Sequence, residues 1–138
     1  MTEHQESFWD AVARLRQEDP RFRREAYGFL MLALGVAVQA LPEERQEDPE
    51  RRHLTGPELL ESMIDLARRE FGGMAPMVFR EWGVRSSADV GEMVFQLVEC
   101  GQLGAREEDR REDFHGIDLM RRLAEPVPGV FPTPGPTA

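Results

Sequence analysis

The sequence has no lysine and no asparagine, and its single cysteine is Cys100. One thiol excludes an intramolecular disulfide and every CxxC-type metal or redox motif. The start, Met1-Thr2-Glu3-His4-Gln5-Glu6, is polar and acidic where a secretory leader would be basic and then apolar. Both features lead to the expectation of a reducing, cytoplasmic setting. With lysine absent, all 17 basic residues are arginine, which we read as the codon bias of a GC-rich genome. Long apolar runs are missing as well. The longest, Tyr27 to Leu41, contains Gly28, Gly35 and Gln39 and falls short of the ~20 apolar residues that a membrane span needs. No membrane partner is expected. Positive charge is in deficit, 17 basic against 26 acidic residues for a net −9. That balance argues against electrostatically driven binding to nucleic acid.

What is present suits one domain of 138 residues with one core, since 41% of the chain is apolar. The expected fold class is all-α, or mainly α with a small β-hairpin, built from five or six helices. Residues 1–124 are read as the helical domain. Within it, 1–41 form an N-terminal helical pair, 42–53 a charged linker and 54–124 a second unit. Residues 125–138 hold five prolines in EPVPGVFPTPGPTA and are read as a disordered tail.

The helix signals are local. Ser7 caps a first helix with Phe8, Val12 and Leu15 on one face, and Asp19-Pro20 ends it. A second helix, from about Phe22 to Leu41, is apolar nearly all round after Glu25 and is expected to be central. Its alanines 26, 33, 37 and 40 form a small-residue stripe suited to a close neighbour. Thr55 and Glu58 make a capping box, Leu54 and Leu59 a hydrophobic staple, and Leu60, Met63, Ile64, Ala67 and Phe71 a buried face. On that helix Asp65 is in reach of Arg68 and Arg69. A short helix from Ala75 to Trp82 is expected to bury Met74, Met77, Val78 and Trp82 together. Ser86 or Ser87 then caps a helix whose inward residues are Val90, Met93, Val94, Leu97 and Val98. Its outward residues are Asp89, Glu92, Gln96 and Glu99. Residues 104–113 are read as a hairpin or loop, and Ile117 to Ala124 as a last short helix.

Reactive constellations are scarce. His4, His53 and His115 are never four residues apart, and only a His53–His115–carboxylate metal site is geometrically conceivable. Cys100 ends a helix, where the dipole disfavours a thiolate, so it is read as inert. The carboxylate runs Glu43–Glu50 and Glu107–Asp113 are interleaved with arginine and read as solvated charge. No catalytic residue, metal site or cofactor is expected.

The blocks RREAYGFLMLAL (23–34), HLTGPELL (53–60), FGGMAPMVFREWGV (71–84), DVGEMVFQLVECGQL (89–103) and EDRREDF (108–114) together resemble a family of small bacterial proteins. No activity is established for that family, so the resemblance implies kinship without a mechanism. More weakly, the helix order from 54 onward and Leu97-Val98-Glu99-Cys100-Gly101-Gln102-Leu103 resemble winged helix-turn-helix modules, with residues 107–113 in place of the wing. That likeness implies a winged-helix-like unit at 54–124. It departs from the pattern in a very short turn, an acidic recognition face and the lack of a long C-terminal dimerisation helix. The expected function is a non-catalytic protein-interaction or adaptor module whose partner is another protein, with Asp89, Glu92, Gln96 and Glu99 as the candidate partner surface. The alternatives are a winged-helix regulator binding DNA, and a small-molecule binder or enzyme.

Overall fold

The computed structural model describes residues 6–48, 53–104 and 111–126. Its α-helical segments are α1 (Phe8–Glu18), α2 (Arg24–Ala40), α3 (Glu43–Glu47), α4 (Gly56–Phe71), α5 (Ala75–Glu81), α6 (Ser87–Glu99) and α7 (Leu119–Ala124). Two 3-10 turns, Gly72–Met74 and Arg111–Phe114, join them. The described residues contain no strand, and the class is all-α. No helix among them is long and apolar enough to cross a membrane.

Side chains set most helix starts. Ser7 Oγ accepts from the Asp10 N–H at 3.2 Å. Thr55 Oγ1 accepts from Glu58 N–H at 3.2 Å while Glu58 Oε1 accepts from Thr55 N–H at 3.0 Å, completing the box at α4. Ser86, rather than Ser87, does the same with Asp89 at α6. At the far end of α6 the Gln102 N–H donates to Leu97 O at 2.8 Å and Gly101 N–H to Val98 O at 3.0 Å, a Schellman stop. α2 has no side-chain cap. Its start is instead docked on the end of α5, where Arg23 N–H donates to Trp82 O and Arg23 Nε to Glu81 O, each at 3.0 Å. Gly83 makes that junction possible. Its φ is 86°, and a Cβ there would run into the Arg21 carbonyl oxygen.

α2 packs most extensively on α4. Ala26, Tyr27, Leu30 and Ala33 from the first half of α2 are buried with Leu60, Met63, Ile64 and Ala67 of α4. The small side chain at Ala33 leaves room for Ser62 Oγ to donate to its carbonyl at 2.9 Å. Phe29 adds an aromatic cluster, with ring centroids 5.4 Å from Phe71, 5.9 Å from Phe79 and 5.4 Å from Trp82. α7 is tied to α4 by a two-pronged Arg122–Glu61 pair, both contacts at 2.7 Å.

Several expectations are corrected. α2 is buried only as far as Ala33, and on one side there, since Leu32 is exposed; beyond Ala33, Val36 is exposed, Ala37 is half-buried and Ala40 is exposed. Helix periodicity cannot show where a neighbouring element stops. The stretch 42–53 is not wholly linker, because it contains α3, and Arg45 Nη1 donates to Glu58 Oε2 at 2.6 Å. On α5 the fully buried residues are Ala75 and Phe79; Met74 and Met77 are exposed and Trp82 is half-buried. The Gly72–Met74 turn re-aims the helix and rotates the methionines outward. Asp65 pairs with Arg69 at 3.0 Å, whereas Arg68 is buried and donates to the Glu125 and Pro126 carbonyls. In the stretch read as hairpin or loop, Arg111–Phe114 form a 3-10 turn, while residues 105–110 lie outside the described residues. So does the tail from residue 127 onward.

Two outcomes test this account. Arg45 holds the Glu58 carboxyl down from its ordinary 4.5 to about 2. A depressed folded value stabilises fully above about pH 4.5, and that stabilisation is lost as pH falls through about 2. Both side chains are partly exposed, so screening reduces the effect to about 1 kcal/mol. Glu58→Gln should therefore lower stability at neutral pH by that amount and flatten the acid limb of the stability curve across this window. Acid limbs that run parallel in denaturant melts would contradict it. Gly83→Ala should cost about 2 kcal/mol or more, since it adds both a strained φ and a collision. An unchanged melt would mean that the α2–α5 junction is not built this way.

Candidate functional site

The second half of α2 runs out past the core beside the start of α4 and the end of α6. Between them is a cavity of about 380 Å3. Leu34 and Val38 line it from α2, Leu54 and Leu59 from the staple of α4, and Val94, Phe95 and Val98 from α6. Phe114 closes one side. Its ring is seated in a notch formed by two glycines, because a Cβ on Gly56 would lie 3.0 Å from the ring and one on Gly91 2.9 Å from Phe114 Cβ. Any side chain at Gly91 would therefore push the Arg111–Phe114 turn away from α6. Phe95 meets Phe114 edge-on at 6.4 Å.

The polar groups of the lining are few. Thr55 Oγ1 is already engaged by the Glu58 N–H. His53 and Asp113 are the ionisable side chains that line the cavity. His115 does not line it, so the structure does not bring the two histidines to this cavity together. Among the described residues no group of three or more His, Cys, Asp or Glu could hold a metal ion. Cys100 is half-buried at the end of α6, with Sγ 3.5 Å from Leu97 O.

The outward face of α6 is largely engaged within the chain. Asp89 accepts from the Arg85 N–H at 2.9 Å and the Ser86 N–H at 3.1 Å. Glu92 lies 3.8 Å from Arg21 and 3.5 Å from Arg111. Gln96 accepts from the Tyr27 hydroxyl at 2.6 Å and donates to Asp19 Oδ2 at 3.1 Å. Burial pushes the Tyr27 phenol up to about 12. The Arg21 side chain, hydrogen-bonded to Asp19, holds that carboxyl below its ordinary value. Glu99 is exposed. The structure thus sets Glu92 and Gln96 against the Asp19–Arg21 turn, uses Asp89 at the α6 cap and leaves Glu99 apart from them. Sequence periodicity assigned Val94 and Val98 inward, which is right, but could not show that they face a void.

No protein-family description, curated protein or solved structure matches this chain.

The α6 face leads to one expected outcome. With carboxylates at Asp89, Glu92 and Glu99, random and genomic DNA duplexes should give flat fluorescence anisotropy at low salt, because phosphate binding requires unpaired cations. Micromolar binding that weakens steeply with salt would contradict it.

Proposed function

We propose that the protein is a non-catalytic interaction module that takes an apolar side chain of another protein into the cavity between α2, α4 and α6. The observation that carries this reading is the cavity itself, about 380 Å3 with walls of Leu34, Val38, Leu59, Val94 and Val98. Burying one leucine- or phenylalanine-sized anchor there gains about 1.5–3 kcal/mol, the scale of an interface hot spot. Aliphatic side chains make up most of the lining, with His53, Thr55 and Asp113 among its few polar groups, which suits an apolar anchor better than reaction chemistry. The setting we propose is the cytoplasm of a bacterium, on the single cysteine and on the resemblance to small bacterial proteins.

A small apolar ligand is the second reading, because the volume lies within the range of roughly 300–1,000 Å3 usual for such pockets. Val98→Trp fills the cavity from the half-buried end of α6. Affinity capture from the native cell should lose its specific partner with Val98→Trp and keep it with Glu99→Gln, while both variants melt like the parent. Retention of the same partner by the filled variant would overturn the proposal. A small molecule seen by native mass spectrometry on the parent alone would favour the second reading.

A further inference from the structure

Met74 and Met77 are 53% and 56% exposed, on the elbow where α4 gives way to α5. The elbow is open. A Cβ added at Gly72 or Gly73, the two residues before Met74, would meet nothing within 4 Å. The two methionines are three positions apart across the start of α5 and so lie side by side. The other described methionines are shielded. Met63 and Met93 are fully buried, and Met31 and Met120 are half-buried against the core.

We propose that Met74 and Met77 form a reversible oxidation site whose co-substrate is a hydroperoxide. A thioether has no proton to lose, so access rather than ionisation decides which sulfur reacts. The sulfur lone pair attacks the terminal oxygen of the hydroperoxide. The S–O bond forms as the O–O bond breaks, the proton of the transferred oxygen passes to the departing oxygen, and water or an alcohol leaves. Sulfur loses two electrons and the peroxide gains them. The product sulfoxide is polar, and sulfoxide reductases return it to the thioether. Location gives the step its consequence. At Met63 or Met93 a sulfoxide would place a polar oxygen in the core and disrupt it. At the elbow it faces water, so the fold persists while an apolar patch becomes polar. Two of the five large apolar side chains exposed among the described residues change character in this way. The site is separate from the proposed recognition cavity, which no methionine lines.

Peptide mass spectrometry of the folded full chain after graded doses of hydrogen peroxide tests it. Cleavage after Arg69 and Arg80 places Met74 and Met77 on one peptide, apart from Met63 and Met93. Both should gain oxygen at least about tenfold faster than Met63 and Met93, and the difference should vanish when the same treatment is given in denaturant. At a dose that leaves Met63 and Met93 unmodified, the oxidised protein should melt like the parent. Methionine sulfoxide reductases A and B together, one for each sulfoxide epimer, should then restore both thioethers. Equal rates for exposed and buried methionines in the folded chain, a melt lowered by oxidation at the elbow, or sulfoxides that resist the reductases would each overturn the proposal.

Discussion

A helix of 17 residues that carries no charge after Glu25 is buried for only about half of its length, and the other features of the molecule adjust to that. Up to Ala33, α2 has α4 on one side and the Phe29 aromatic cluster on another, and Ala26, Tyr27, Phe29, Leu30 and Ala33 are buried there. Past Ala33 the chain supplies walls rather than filling. α4 begins beside it with Leu54 and Leu59, α6 ends beside it with Val94 and Val98, and the space between them is the cavity. Leu32 and Val36 are exposed on the outer side. Apolar surface of this kind on a chain with so much charge elsewhere is a recognition feature by the ordinary logic of protein surfaces.

Arginine does structural work that a lysine would do poorly. Arg16 Nε donates to Phe22 O at 2.8 Å, Arg23 to Glu81 O at 3.0 Å and Arg68 to Glu125 O at 2.9 Å. Each guanidinium closes a carbonyl left over at a helix end or chain turn, with its planar fork fixing the angle. The Tyr27–Gln96–Asp19 chain adds a polar tie between α2, α6 and the turn after α1. That tie explains why the acidic side of α6 is oriented inward at Gln96 and paired at Glu92. The side chains there brace the fold first.

Legibility in the sequence followed locality. Caps depend on residues three apart, so Ser7 and Thr55 were readable and the α6 cap was narrowed to Ser86 or Ser87; the inward residues of α4 and α6 were readable too. The α1 break at Asp19-Pro20 was readable for the same reason. What failed was non-local. The exposure of Leu32 and Val36 depends on where α4 begins, and the outward turn of Met74 and Met77 on the 3-10 turn before α5. Arg68 has the spacing of a surface ion pair, yet it serves carbonyls 57 and 58 residues away. The cavity was illegible for a related reason: its lining residues carry the same apolar pattern as a filled core. The notch for Phe114 depends on Gly56 and Gly91, which are 35 positions apart, and no periodicity links them.

The central claim is that enclosure of α2 ends at Ala33, and native-state hydrogen exchange reads it residue by residue. Amides from Leu30 to Leu34 should exchange only through global unfolding, at the slowest rates in the protein. Amides from Val36 to Ala40 should exchange faster, through local opening, because the side chains around them bury little. Uniform, globally limited protection along the whole of α2 would contradict the account.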